Sequence, residues 1–326
     1  MSDVVLSIRN LTVEIPTRHG VLRPVDDVSY DINRGEILGV VGESGAGKSM
    51  AGNAVIGLLN APARITSGEI YVNGTRVDQL QGEKMRKLRG KEIGMVFQDP
   101  LTSLNPLLRI GDQLTETMLT HLDISRSEAE RRAVSALEEV GIPGAAERVS
   151  SYPHEFSGGM RQRVVIALAL CAEPSLIIAD EPTTALDVSV QAQIIALLKR
   201  LCRERGTAVM LITHDMGVIA EATDRVAVMY AGRLAELGPV RDVLTRPSHP
   251  YTDGLMGSTP LASRGQSRLR QIPGAMPRLD VMPTGCAFHP RCPKAQARCS
   301  VDPAPALQDG GGAAACWFPM TKDEVA

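Results

Sequence analysis

The sequence has no excess of basic residues: 35 Lys and Arg stand against 37 Asp and Glu, a formal balance of -2. A nucleic-acid binder needs a cationic face for phosphates, so this balance sets nucleic acid aside as the main partner. A secretory leader is also missing. Met1-Ser2-Asp3-Val4-Val5 has neither the basic start nor the apolar stretch of one, which predicts a cytosolic chain. The apolar run at 164–172 is stopped by Glu173 and Pro174, well short of the roughly 20 apolar residues of a membrane helix. Any membrane role must therefore come through a partner. Six cysteines in a reducing compartment do not make a disulfide scaffold. Cys171 and Cys202 sit in apolar helical patterns as small core residues, whereas Cys286, Cys292, Cys299 and Cys316 crowd into the last 41 positions. No internal repeat or low-complexity tract stands out.

What is present is a 326-residue chain, 44% hydrophobic and 22% charged, long enough for a substantial core and more than one domain. Short β-like runs at 6–15 and 28–32 are followed by a buried strand at 35–41 that runs into a glycine loop. A helix is predicted over 51–59, a hairpin over 69–77 around Asn73-Gly74, and a strand over 93–98. From about 101 to 151 the period turns helical, with Ala129, Ala133, Leu137 and Val140 on one face. This reads as a helical insertion, placed at about 101–165. An α/β core then resumes with strand 176–180, helix 190–203, strand 208–213 and a hairpin over 226–237 turning at Ala231-Gly232. Such alternation predicts a largely parallel sheet with its sites at the strands' carboxyl ends. Past Gly238 prolines recur at nine positions between 239 and 293 and periodicity fades. The expected division is 1–238 as the catalytic domain and 239–326 as a loop-rich extension.

Gly42-Glu43-Ser44-Gly45-Ala46-Gly47-Lys48-Ser49 fits the phosphate-loop pattern between a strand and a helix. Its glycines let backbone N–H groups curl around phosphate, the helix start adds a favourable dipole, Lys48 reaches the β- and γ-phosphates, and the Ser49 hydroxyl suits Mg²⁺. Asp180 and Glu181 close a buried strand, where Asp180 can hold a metal's water shell and Glu181 can polarise an attacking water. Read alone, the two acids could equally begin a turn before Pro182. Ser157-Gly158-Gly159-Met160 opens a helix and makes a second anion cradle. Two cradles in one chain make sense if ATP is sandwiched between subunits, although Ser-Gly-Gly is also a common turn. His214 follows a strand and Gln98 ends one; a lone histidine after a strand is more often structural, and an isolated glutamine at a strand end decides nothing.

The order of these elements, with Ala185-Leu186-Asp187 between the acids and His214, resembles the nucleotide-binding subunit of ATP-binding cassette transporters over about residues 6–237. The resemblance implies a P-loop NTPase cassette with a mixed sheet core and an N-terminal antiparallel β subdomain. It implies ATP and Mg²⁺ as cofactors, with Ser49, Gln98 and Asp180 at the metal. Gln98 then becomes the Q-loop residue, Ser157 to Met160 the signature, Asp187 part of the D-loop and His214 the switch histidine. Met160 stands where the family usually has glutamine, and Ile15 where it usually stacks an aromatic on adenine, so no stacking residue is assigned.

Val96-Phe97-Gln98-Asp99-Pro100-Leu101-Thr102-Ser103-Leu104-Asn105-Pro106, Ser248-His249-Pro250-Tyr251-Thr252 and the cysteine cluster resemble the oligopeptide/dipeptide importer branch. That implies peptide as cargo, two membrane-spanning permease chains, a second cassette that is a copy or a paralogue, an extracytoplasmic binding protein, and a peripheral place on the cytoplasmic face of the inner membrane. Nickel, glutathione and oligosaccharide are the other cargoes of the branch. Cys286, Cys292, Cys299 and Cys316 are separated by five, six and sixteen residues, wider than ordinary zinc knuckles. Four thiolates suit Zn²⁺ or an iron–sulfur cluster, or they remain unligated, and the resemblance favours [4Fe–4S]. Two other classes compete. A cassette ATPase acting on DNA or ribosomes usually carries tandem cassettes or large insertions, and a small-molecule kinase would leave Ser157-Gly158-Gly159 and His214 without work.

Overall fold

Val, Ile and Leu fill both faces of 37–41, 176–180 and 208–212, and a run buried on both faces belongs inside a sheet covered by helices. In the computed structural model of the chain, which describes residues 3–184, 186–259, 270–307 and 313–321, these runs are the strands Ile37–Val41, Leu176–Asp180 and Ala208–Ile212, buried almost throughout. The chain divides into two compact units: Met1–Leu6, Ile32–Glu36 and Val72–Leu211 form one, and Ser7–Asp31, Ile37–Tyr71 and Ile212–Ala326 the other.

In the first unit Ile93–Val96 pairs in parallel with Leu176–Asp180, Ile93 opposite Leu176 and Val96 opposite Ala179, and Ala208–Ile212 lies on the far side of Leu176–Asp180. The helical stretch folds as Ile110–His121, Arg126–Glu139 and Gly158–Leu170, with short turns of helix between. Ser125 starts Arg126–Glu139 by accepting a hydrogen bond from the Glu128 N–H at 3.2 Å. The expected apolar stripe is buried: Ala129, Ala133 and Leu137 are fully covered. The buried cysteines behave as predicted too, and burial pushes the Cys171 thiol up to about 12.

In the second unit Ile37–Val41 pairs in parallel with Arg225–Tyr230, which then turns at Ala231-Gly232 into the antiparallel strand Arg233–Pro239. Both turn residues have positive φ, 49° and 86°. Ala313–Ala314 adds at the edge. A second sheet holds Gly20–Asn33, Val4–Thr17 and Arg64–Val72 in that order. Two strands of fourteen residues thus stand where the sequence predicted 6–15 and 28–32. Pro24 lies within Gly20–Asn33, which is an edge strand, where a missing N–H does no harm. The helix predicted over 51–59 is Lys48–Val55 instead. It begins inside the loop because the glycines turn the backbone straight into it, and it ends before Gly57 at φ 67°.

The proline-rich stretch after 238 shares a core with this unit. Val243, Tyr251 and Phe288 pack with Val41, Val226, Val228 and Tyr230. The rings of Tyr230, Tyr251 and Phe288 meet edge-on or tilted, with centroids 4.6 to 5.3 Å apart. The segment showed no period because single anchoring side chains, not a helix face, hold it down. Among the described residues no helix is long and apolar enough to cross a membrane.

Candidate functional site

In the second unit, the loop at 42–49 joins Ile37–Val41 to Lys48–Val55. Glycine is required at two of its corners. At Gly42 (φ 151°) a Cβ would stand 2.2 Å from the Met229 carbonyl oxygen, and at Gly47 (φ 103°) 2.0 Å from that of Pro24. Lys48 folds back across the loop, its buried Nζ donating to the carbonyl oxygens of Gly42 at 2.8 Å and Glu43 at 3.0 Å. Ser44, Gly45 and Ser49 are exposed, whereas Ala46 is fully buried beneath them. The result is a glycine-bent loop at a helix start, with an ammonium held against it, a setting that suits an anion.

Thr213 follows on the same unit. Its N–H donates to the Val40 carbonyl at 3.2 Å, and its hydroxyl accepts from the Asp215 N–H at 3.1 Å. Asp215 then caps Met216–Ala222 through the N–H groups of Gly217 and Val218. His214 is exposed between these two fixed points, anchored beside the end of the strand that feeds the phosphate loop.

In the first unit the Gln98 amide donates through Nε2 to Glu181 Oε2 at 3.0 Å, and Thr184 Oγ1 donates to the same oxygen at 2.9 Å. The structure therefore brings together two predicted residues, Gln98 and Glu181, at the carboxyl ends of paired strands. Glu181 sits at φ 47°, a left-handed conformation unusual for a side chain of this size. Ser157 caps Gly158–Leu170 by accepting from the Met160 N–H at 3.4 Å. Gly159 is held to glycine by its neighbour, since a Cβ there would lie 2.7 Å from Val190 Cγ1. Asp187 caps Val188–Arg205, Oδ1 accepting from the Val190 N–H at 2.9 Å. Ala185 lies outside the described residues.

Cys286, Cys292, Cys299 and Cys316 all line one cavity, together with Phe288 and Trp317. The Cys286 N–H donates to the Cys299 carbonyl oxygen at 2.8 Å, which ties two of the cysteine segments directly. Burial first, and the negative charge of the neighbouring cysteines after it, push the Cys292 thiol up to about 11 and raise Cys286 and Cys316. Sulfurs that ligate one ion must come within about 4 Å of one another. Among the described residues no three His, Cys, Asp or Glu side chains are drawn together that closely around a single metal ion.

Residues 25–184 match the ABC transporter family, and 235–299 match the oligopeptide/dipeptide transporter C-terminal region. The dipeptide transport ATP-binding protein DppD of Bacillus subtilis (strain 168) is 46% identical over 326 residues, 99% of this chain and 97% of its own length. The chain belongs to the ABC transporter family. The oligopeptide transport ATP-binding protein OppD of Escherichia coli (strain K12) is 48% identical over 322 residues, 98% of this chain and 94% of its own length. A solved dimer of an ATP-binding cassette in a post-hydrolysis state, bound to ADP and Pi, matches with a TM-score of 0.65 and 29% identity. It covers 72% of this chain and 99% of its own. The α/β cassette fold is thereby established, and as an ABC ATPase the chain works on ATP with Mg²⁺.

Sequence reasoning left out Thr184, which shares Glu181 with Gln98, and the residues that grip Glu43 from the far C-terminus. A hydroxyl three positions after the glutamate was a readable signal for the first. For the second the signal was Ser248-His249-Pro250-Tyr251-Thr252, a branch marker whose physical work is now visible. The buried Glu236 carboxylate accepts from the Ser248 and His249 N–H groups at 2.8 and 2.9 Å, and His249 Nδ1 accepts from the Tyr251 N–H at 3.0 Å to start Pro250–Gly257.

Proposed function

We propose that this ABC ATPase powers the import of peptides, di- or oligopeptides, through a membrane permease complex. The observation that carries this reading is the likeness to dipeptide and oligopeptide ATP-binding subunits along nearly the whole chain, including the C-terminal region that names the branch. Residues 1–238 are taken as the cassette and 239–326 as the branch-specific extension. The partners are two membrane-spanning permease chains, a second cassette and an extracytoplasmic binding protein, with the subunit seated peripherally on the cytoplasmic face of the inner membrane.

Within that reading Gly42, Glu43, Ser44, Gly45, Ala46, Gly47 and Lys48 form the phosphate cradle. Ser49, Asp180 and Gln98 offer hydroxyl, carboxylate and amide oxygens, the hard donors that suit Mg²⁺. Gln98 fits the task because its Nε2 is engaged with Glu181, which leaves the amide oxygen as the ligating end. Bound Mg²⁺ neutralises charge developing on the phosphates. Glu181 is the base that polarises water, and His214 is the contact to the γ-phosphate. Ser157, Gly158, Gly159, Met160 and Asp187 meet the nucleotide held by the partner cassette.

Cys286, Cys292, Cys299 and Cys316 are assigned to a [4Fe–4S] cluster. Four thiols that line one cavity are the donor set such a cluster takes. Such a cluster supplies a structural staple to a segment with little helical periodicity.

Purification of the tagged subunit from detergent-solubilised membranes tests the assembly. Two membrane-spanning chains should co-elute, and nucleic acid or ribosomes in their place would overturn the transport reading.

A further inference from the structure

Glu43 is out of place by charge. It puts a carboxylate into a loop whose N–H groups and lysine gather a polyphosphate, and like charges at such short range repel. The structure answers that repulsion from the far end of the chain. Arg291 Nη1 donates to Glu43 Oε1 at 2.8 Å and to the Tyr230 hydroxyl at 3.3 Å. Its Nε donates to the Pro273 carbonyl at 2.8 Å and its Nη2 to that of Gly274 at 3.5 Å. The Arg291 side chain is only 7% exposed, so its charge is matched by built-in partners rather than by water.

Tyr251 acts on the same residue. Its hydroxyl accepts the Glu43 N–H at 3.0 Å, which occupies that donor and fixes the first bend of the loop. The Met276 methyl also reaches the loop, 3.2 Å from where a Cβ on Gly45 would stand. All three contacts come from beyond residue 238. The extension is therefore part of the nucleotide site.

We propose that Arg291 and Tyr251 are positioning residues of the phosphate loop, Arg291 neutralising Glu43 and Tyr251 holding it turned aside so that the triphosphate can enter. The proposal rests on reading 42–49 as the nucleotide phosphate site.

Binding of a fluorescent ATP analogue to the full-length subunit, with ATPase kinetics alongside, tests it. Arg291→Met exposes the triphosphate to an unneutralised carboxylate and should weaken binding about tenfold at low salt, less at high salt, with kcat nearly unchanged. Adding Glu43→Gln to that variant should restore affinity to within about twofold. A merely structural arginine would not be rescued by removing a charge. Unchanged binding in Arg291→Met, or a loss that Glu43→Gln does not repair, overturns the proposal. If Arg291→Met does not fold, Glu43→Gln alone decides: several-fold tighter binding supports the proposal, and unchanged binding overturns it. Lys48→Ala separates the two readings. Weakened ATP binding there upholds the phosphate loop on its own terms, whereas unchanged binding removes that loop and the proposal with it.

Discussion

Glu181→Gln separates the chemistry from the scaffold. The carboxylate accepts two hydrogen bonds on one oxygen, from Gln98 at 3.0 Å and Thr184 at 2.9 Å. A glutamine has the same shape and one oxygen that can serve both donors, so the local geometry at φ 47° should persist. The lost function is that of a base, which contributes about 10²- to 10⁴-fold in rate, or about 3–5 kcal/mol of barrier. The expected result is a kcat at least about a hundredfold lower with ATP affinity within about twofold of the native value. Glu181→Asp draws the carboxylate back by about one C–C bond, 1.5 Å, beyond comfortable reach of both donors, and should lose activity to a similar extent. Gln98→Ala removes one hydrogen bond to Glu181, worth about 1 kcal/mol or about fivefold in kcat, and also the amide oxygen proposed for Mg²⁺, so kcat should fall by more than about fivefold and the Mg²⁺ requirement should rise. Phosphate release under saturating ATP and a single-turnover experiment report these numbers. An Glu181→Gln variant that keeps more than about a tenth of native turnover would refute the assignment, since no group of comparable effect would then have been removed.

Other expectations concern the cysteines. The folded Cys171 thiol titrates near 12 against 9 for an ordinary thiol, so the unfolded chain releases its proton first as pH rises. Stability tied to this group is full below pH 9 and falls between 9 and 12, by about 2 kcal/mol at pH 10.5. Denaturant melts at pH 8 and pH 10.5 should show a loss at least that large, and Cys171→Ala should reduce it by about 2 kcal/mol without removing it, because the raised Cys286, Cys292 and Cys316 thiols contribute in the same direction. Anaerobic purification followed by iron and sulfide assay should find about four of each per chain, and Cys292→Ser should lower both. Colourless protein containing neither element would remove the cluster.

Most of what positions the site was legible in the residues, because phosphate binding leaves local marks. The glycines of 42–49, the acids after 176–180 and the cap at Ser157 each declare a turn or a helix start within a few positions. Strand 176–180 and the hairpin at Ala231-Gly232 emerged as expected. The failures have a common cause: information that is not local. The runs at 6–15 and 28–32 stopped short of the fourteen-residue strands, whose remaining residues are held by pairing in the sheet. The stretch after 238 looked loose because Val243, Tyr251 and Phe288 are scattered anchors, and no period links them. What holds Glu43 was likewise not legible, because its partners, Tyr251 and Arg291, are 208 and 248 positions away. Gly159 read as an anion contact alone, and its closeness to Val190 shows that packing also demands it.

Uptake of labelled dipeptides, longer peptides and nickel by source cells carrying either the native chain or Glu181→Gln is the most direct test of the transport claim. The account predicts that Glu181→Gln abolishes peptide uptake and leaves nickel uptake as it was. Intact peptide uptake with nickel uptake lost would contradict it.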